Sequence, residues 1–135
     1  MTFDIVTDVE RFDFDQIVPA VQSSYWGQGR QADDILLAFA GSAVVGVFED
    51  GQQVAVARAI TDGVYHAYIY DLIVFEPHRG RGLAHVLMDA LFAHPQLKAV
   101  SGWMLSTRDA HGLYEKYGFA PTDPNRTMWM RRAQT

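Results

Sequence analysis

The most informative stretch of this chain is Val74-Phe75-Glu76-Pro77-His78-Arg79-Gly80-Arg81-Gly82-Leu83-Ala84. A strand-like run ends at Val74 and a helical pattern begins at Leu83, so the two glycines stand in a strand-to-helix turn. The first amides of a helix lack partners and lie at the positive end of its dipole, and glycine lets a ligand approach the backbone. With the charges of Arg79 and Arg81, this turn is expected to bind an anion, and a pyrophosphate suits its many donors.

A tight turn without any ligand is the alternative interpretation, because glycines also serve that purpose alone. Two known nucleotide motifs do not fit the spacing. The dinucleotide fingerprint requires a third glycine where His85 stands, and no Lys-Ser or Lys-Thr follows as a P-loop requires. The turn is therefore expected to bind its anion in another way.

The residues around this turn predict alternating strands and helices. An Asp50-Gly51 pair between residues 43–48 and 53–60 predicts an antiparallel hairpin, and residues 64–74 read as a long third strand. After the turn, apolar residues at helical spacing continue until Pro95, and residues 100–106 form the next strand. Because a helix lies between these two strands, we expect them to pair in parallel.

The two ends of the chain add further helices and strands. A first helix is predicted over residues 14–24, with Asp13 and Gln16 as a capping box, and a second helix ends at Gly41. Residues 110–117 form a short helix, followed by short strands from Phe119 onward and over residues 127–131. The order ααβββαβαββ predicts an α/β or α+β domain, a mixed sheet with helices on both faces.

Composition limits the function classes. The chain has 135 residues, which predicts one domain over residues 1–135, and it has 11 Lys plus Arg against 16 Asp plus Glu. The net charge of −5 and the lack of a basic stripe argue against nucleic acid. The absence of Cys excludes a thiol nucleophile and thiolate metal sites, and the scattered His residues predict no metal. No uncharged run approaches the roughly 20 residues that span a membrane. No signal sequence is visible, so a cytoplasmic location is expected.

Two motifs in order resemble the GNAT superfamily of acetyl-CoA-dependent N-acetyltransferases. The first, Arg79-Gly80-Arg81-Gly82-Leu83-Ala84, fits the pattern Gln/Arg-x-x-Gly-x-Gly/Ala. The second, Ala110-His111-Gly112-Leu113-Tyr114-Glu115-Lys116-Tyr117-Gly118-Phe119, is similar to Ala-x-x-Leu-Tyr-x-x-x-Gly-Phe. Together with the element order, the resemblance covers nearly the whole chain.

The resemblance implies a splayed sheet whose fourth and fifth strands part to admit the pantetheine arm of acetyl-CoA, counted from a short first strand near residues 3–7. The fourth-strand backbone beside the pantetheine would be that of Leu72, Ile73 and Val74. The pyrophosphate would lie on the amides of Gly80, Arg81, Gly82, Leu83 and Ala84. Tyr114 aligns with the tyrosine that protonates the leaving thiolate in many members. The chain departs from the family at Glu76, where Pro is frequent, and at Thr107, where Asn is frequent but a hydroxyl remains available.

Two further assignments concern the acceptor amine. On a regular strand, Asp71 shares a face with Ile69 and Ile73, and a carboxylate among apolar neighbours suits a general base. An ion pair is the alternative, and a bulge would turn Asp71 to the other face. By the resemblance, the loop with Tyr25 and Trp26 forms the acceptor wall. There the aromatic rings would hold a cationic amine, unless they pack in the core.

The sequence therefore predicts an N-acetyltransferase that moves acetyl from acetyl-CoA to a primary amine of a small molecule or peptide. The absence of Cys favours direct transfer in a ternary complex over a thiol intermediate. A non-catalytic acyl-CoA sensor or regulatory domain is the alternative, and a scaffold that binds no nucleotide is a third. The protein is expected to be a monomer or a homodimer, because strands near Met128 could pair with a second chain or close their own sheet.

Overall fold

The computed structural model describes residues 2–133, which divide between Leu105 and Ser106 into two compact units. The strands of the first unit are β1 (Asp4–Val6), β2 (Ala43–Glu49), β3 (Gln52–Thr61), β4 (His66–Val74) and β5 (Gly102–Met104). Its helices are α1 (Phe14–Ser23), α2 (Ala32–Ala40) and α3 (Leu83–Ala93), with short 3-10 helices at Val9–Arg11 and Glu76–His78. The second unit contains α4 (His111–Glu115). The expectation of a single domain stays a prediction.

The five strands of the first unit form one sheet in the order β1-β2-β3-β4-β5. The pairs from β1 to β4 are antiparallel, whereas β4 and β5 are parallel. The hairpin between β2 and β3 turns at Asp50 and Gly51, whose φ angles are 52° and 79°. Positive φ at both positions is the type I′ turn that Asp-Gly favours, so the predicted hairpin is confirmed.

Helices cover both faces of this sheet, as predicted. On one face, Ile17 and Val21 of α1 and Phe39 of α2 belong to a buried cluster with Val56 of β3. Side chains alternate along a strand, so the alanines of β3 face the opposite side, where α3 packs against β2, β3 and β4. The buried side chains of α3 are Leu83, Leu87, Met88 and Leu91. Each buried side chain of this size contributes about 1.5–3 kcal/mol to folding.

The strands predicted from Phe119 onward and over residues 127–131 are wrong for the described part of the chain. Residues 119–133 contain no strand there, and the side chains of Met128, Trp129 and Met130 are exposed. Two prolines, Pro121 and Pro124, lack the amide that a strand donates, which breaks the first of these runs. Local strand propensity is not sufficient where no neighbouring strand supplies the pairing.

His94 gives the fold a pH dependence that can be measured. The side chain lies buried at the end of α3, its Nδ1 accepts the amide of Gln96 at 3.0 Å, and burial lowers its pKa. The unfolded chain takes up a proton near pH 6.5, whereas the folded chain resists it until a lower pH. The free energy of unfolding should therefore decrease as the pH falls below about 6.5.

We expect the variant His94→Asn to lose part of this dependence, because its amide oxygen can accept the same hydrogen bond without titrating. The urea midpoint of the wild type should decrease more between pH 7 and pH 5 than that of the variant. Equal decreases in the two proteins would contradict the contribution of His94.

Candidate active site

The turn between β4 and α3 has the backbone conformation that its glycines allow. Gly80 and Gly82 have φ angles of 80° and 76°, and Gly82 is the N-cap of α3. A Cβ atom built at either glycine would meet no atom within 4 Å. The glycines are therefore required by the left-handed backbone and not by close neighbours, and space beside the backbone stays open for a ligand.

The amides of this turn are available to such a ligand. In the described part of the chain, the N–H groups of Gly80, Gly82, Leu83 and Ala84 donate no backbone hydrogen bond. The first α3 amides that do so belong to His85 and Val86, which donate to the carbonyl of Gly82. Several donors beside open space at the positive end of a helix fit a pyrophosphate, which offers acceptor oxygens and negative charge.

The two arginines of the turn are held differently. Arg79 is exposed, and its Nε donates to the carbonyl of Val74 at 3.1 Å. Arg81 forms a bidentate ion pair with Glu49, in which Nη1 donates to Oε1 at 3.1 Å and Nη2 donates to Oε2 at 2.6 Å. This pair lowers the pKa of Glu49 and raises the pKa of Arg81, in both cases chiefly through the hydrogen bonds between the side chains. Arg79 is thus the better placed of the two to supply charge to a ligand.

The strand before the turn has an open edge. β5 pairs with β4 only from His66 to Tyr68 and ends at Met104, so β4 has no β5 partner beyond Tyr68 among the described residues. The amide of Phe75 donates to the carbonyl of Val54 in β3. Because backbone groups alternate along an antiparallel strand, the amide and carbonyl of Val74 face away from β3, toward the opening. The expected splay between the fourth and fifth strands stays a prediction, and the unpaired edge of β4 leaves room for it.

A β-bulge interrupts the open part of β4 at Asp71. The register shifts from Val56 opposite Ile73 to Arg58 opposite Tyr70, and Asp71 has a φ of 49°. An extra residue reverses the alternation, so Ile69 and Ile73 lie on opposite faces of the sheet. The shared face that a regular strand predicts for Asp71, Ile69 and Ile73 is therefore wrong.

Three donors bind the buried carboxylate of Asp71. Trp26 Nε1 donates to Oδ1 at 2.7 Å, Arg58 Nε to Oδ2 at 2.7 Å, and Arg30 Nη1 to Oδ1 at 3.1 Å. The side chain of Asp71 is 2% exposed and that of Arg58 7%, whereas that of Arg30 is 35% exposed. We call these four side chains the Asp71 cluster. Asp71 thus forms the ion pair that was the alternative to a general base.

The α1–α2 loop is folded so that it brings Trp26 and Arg30 to β4. A Cβ atom on Gly27 would lie 2.0 Å from the carbonyl oxygen of Val21, so only glycine allows this close approach. Tyr25 meets the ring of Trp26 edge to face at 4.9 Å, and both rings are about 40% exposed. The structure therefore does not pack either ring in the core, and it engages the indole N–H of Trp26 with Asp71.

Arg30 and Arg58 are the residues of this region that the sequence interpretation missed. Arg58 stands in the middle of a strand of Val and Ala, and its neighbours are buried. A charged residue at such a position requires a partner, and that was a readable signal. Arg30 lies in a polar loop, where its position in sequence contains no such signal.

The second unit contains the other motif. The Oγ1 of Thr107 accepts the amide of Ala110 at 3.0 Å, just before α4 begins. Tyr114 lies in α4 and is partly buried, with its ring 6.0 Å from that of Phe119 in an edge-to-face contact. The sequence motif therefore forms a short helix followed by a turn at Gly118, whose φ is 93°.

The described residues contain neither a metal-binding cluster of side chains nor a membrane-spanning helix. Within residues 2–133, no group of three or more His, Asp or Glu side chains is arranged to hold a metal ion. In the same range, no helix has the length and apolar character that crossing a membrane requires.

The sequence pattern of the acetyltransferase (GNAT) family matches residues 12–119, which include both motifs, the bulge and the turn. The chain belongs to this family. It is 38% identical over 76 residues to a serotonin N-acetyltransferase from Oryza sativa subsp. japonica, a match that covers 56% of this chain and 38% of that protein.

Two solved structures support the GNAT fold. A structure from Xanthomonas campestris assigned to the GNAT acetyltransferases is 36% identical, with 98% of this chain and 94% of that chain covered and a TM-score of 0.90. An acetyltransferase-like structure from Clostridium acetobutylicum with acetyl-CoA is 18% identical, with coverage of 98% and 95% and a TM-score of 0.68. The fold of this GNAT chain is thus shared with relatives of very different sequence.

The Asp71 cluster predicts a large loss of stability on removal of its carboxylate. Asp71→Ala leaves the buried guanidinium of Arg58 without its ionic partner, and we expect it to lower the free energy of unfolding by about 3 kcal/mol or more. Urea unfolding measures this. As a control, Asp109→Ala removes an exposed pair with Arg108 at 3.9 Å and should cost less than about 1 kcal/mol. Losses of similar size would contradict a structural role of the cluster.

Proposed function

We propose that this GNAT chain transfers the acetyl group of acetyl-CoA directly to a primary amine of a small molecule or peptide, in the cytoplasm. The observation that carries the proposal is the turn after β4. Four of its amides have no backbone partner in the described chain, open space lies beside Gly80 and Gly82, and the open edge of β4 leads to it. The Clostridium acetobutylicum structure with acetyl-CoA, which has the same fold, supports this choice of ligand.

Backbone groups of β4 and of the turn would hold most of the coenzyme, and the side chains of Arg79 and Thr107 would add to them. The amides of Gly80, Arg81, Gly82, Leu83 and Ala84 would donate to the pyrophosphate, and Arg79 would add charge. The segment Leu72, Ile73 and Val74 would bind the amide groups of the pantetheine arm through those backbone groups that face away from β3, as one strand binds another. Thr107 would offer its hydroxyl to the same arm.

Acetyl transfer requires a neutral amine as the nucleophile, a hydrogen-bond donor to the thioester carbonyl oxygen and a proton for the departing sulfur. Bound acetyl-CoA supplies an acetyl group activated as a thioester. The carbonyl oxygen needs a hydrogen-bond donor, for which we propose a backbone amide of β4 near the bulge. The departing sulfur needs a proton, for which we propose the phenol of Tyr114. We propose that Asp71 keeps the bulge in place, because three donors already occupy its carboxylate.

The acceptor amine would approach from the face of the sheet that α1 and α2 cover. The partly exposed rings of Tyr25 and Trp26 lie on that side. The hydrogen bond from Trp26 to Asp71 keeps the indole beside the bulge. We propose that the two rings form part of the acceptor wall. The single-domain organisation and a monomeric or homodimeric state belong to the same proposal.

The coenzyme is tested first by thermal unfolding of the purified protein with acetyl-CoA, CoA, ATP or NAD at equal concentration. A ligand at 100 times its Kd stabilises a protein by about 2.7 kcal/mol, which raises the Tm of a domain of this size by several degrees. We expect this rise with acetyl-CoA and CoA only. No rise with either would contradict the proposed function.

The position of the pyrophosphate is tested at Gly82. Gly82→Glu and Gly82→Gln introduce side chains of the same size at the same left-handed position, so each variant loses about 1–2 kcal/mol of stability. The carboxylate of the Glu variant should also repel the pyrophosphate. We therefore expect the affinity of the Glu variant for CoA to be weaker than that of the Gln variant by about tenfold or more. Calorimetric titration compares the two. Equal affinities would place the pyrophosphate elsewhere.

The role of Tyr114 is tested by Tyr114→Phe, with Tyr117→Phe as the matched control on the same helix end. A general acid contributes roughly 100-fold or more to the rate. We expect the first variant to lose about that much kcat while its affinity for CoA is retained, and the second to keep its rate. A Tyr114→Phe rate within about twofold of the wild type would remove Tyr114 from the mechanism.

A further inference from the structure

The Asp71 cluster contains more positive than negative charge. Arg30 and Arg58 share the single carboxylate of Asp71, and Trp26 adds a neutral donor. Arg58 is the buried arginine of the pair, and it also donates to Ser42 and lies over the ring of Tyr70 at 4.8 Å. The unbalanced charge therefore lies at Arg30, the more exposed of the two arginines.

Arg30 is held in place before any ligand arrives. Its amide donates to the carbonyl of Gly27 at 3.1 Å, and its carbonyl accepts from Gln22 Nε2 at 3.1 Å. Its Nη1 donates to Asp71, whereas in the described chain its Nε and Nη2 donate to no group. The nearby acids Asp33 and Asp34 form no ion pair with it among the described residues.

The free donors of Arg30 lie beside the proposed reaction site. Asp71, which Arg30 contacts, is the residue before Leu72, where the proposed pantetheine backbone begins. Trp26, the other exposed member of the cluster, bonds to the same Oδ1 atom. An acceptor that reaches the bulge from this side therefore meets a fixed, partly exposed guanidinium next to an aromatic ring.

We propose that Arg30 binds an anionic group of the acceptor, so that the acceptor is a small amine that also carries a carboxylate or a phosphate. A planar guanidinium with two unused donor nitrogens suits either group, because both present two oxygens at matching spacing. This inference rests on the proposed acetyl transfer and narrows its substrate class. It replaces the purely cationic amine that the aromatic rings of Tyr25 and Trp26 suggest with an amine that also carries an anionic group.

The first experiment compares acceptors in matched pairs that differ only in the anionic group. Phenylalanine against phenethylamine tests the carboxylate, and glucosamine 6-phosphate against glucosamine tests the phosphate. Transfer is followed by release of the CoA thiol. We expect kcat/KM to be at least about tenfold higher for the anionic member of one pair, chiefly through a lower KM. The pair that shows the difference identifies which anion is recognised.

The second experiment assigns the preference to Arg30. Arg30→Gln removes the charge but leaves Arg58 and Trp26 on Asp71, and we expect it to abolish the difference between the paired acceptors. Arg30→Lys should restore part of this difference, because it returns the positive charge without the planar guanidinium that can bind two oxygens at once. Lys98→Gln removes the same charge at an exposed position outside the site and should keep the full preference. The Tm rise with CoA shows that each variant is folded.

The outcomes separate this inference from the proposed function. Equal kcat/KM within both pairs, a preference for the members that lack the anionic group, or a preference that Arg30→Gln retains would overturn the inference and leave acetyl transfer intact. Failure of every anionic acceptor alongside transfer to other amines would overturn it as well. Failure of CoA to raise the Tm of the wild type would contradict the proposed function itself.

Discussion

The carboxylate of Asp71 is the constraint on which the acceptor side of this protein depends. It is buried in β4 at a left-handed backbone position, and two guanidinium groups and an indole bind it. A non-glycine residue at positive φ costs about 1 kcal/mol or more, so the bulge persists because these contacts hold it. The same contacts tie the α1–α2 loop and β3 to β4. One side chain thereby fixes the strand's irregularity and the loop that faces it.

The bulge and the turn after β4 act on the same strand. Beyond Tyr68, β4 has lost its β5 neighbour, so its backbone groups on that side stay available to a ligand. At the end of the strand, Arg79 binds back to the carbonyl of Val74, and the glycines turn the chain so that the first amides of α3 face open space. Glu49 meanwhile holds Arg81 from the β2–β3 hairpin. The strand edge at one end and the turn with the helix start at the other both offer unpaired backbone groups, an arrangement that suits an extended, phosphate-bearing molecule.

Local signals in the sequence predicted the parts of the fold that local physics determines. The type I′ turn at Asp50 and Gly51, the left-handed glycines before α3 and the helix after them follow from backbone preferences of a few residues. The bulge at Asp71 does not, because it depends on Arg58 across the sheet and on Arg30 and Trp26 from a distant loop. Without it, the alternation of β4 assigns Asp71 to the wrong neighbours. The C-terminal strands were predicted from propensity alone, and pairing decides whether such residues form strands.

The proposed coenzyme site depends on whether the unpartnered amides between β4 and α3 bind the phosphates of the coenzyme. Amide chemical shifts of the 15N-labelled protein, recorded with and without CoA, test this binding residue by residue. We expect the largest changes at the amides of Gly80, Gly82, Leu83 and Ala84, with a further change at Val74 on the open edge of β4. Binding of CoA with changes confined to other parts of the chain, or no change at any amide, would contradict it.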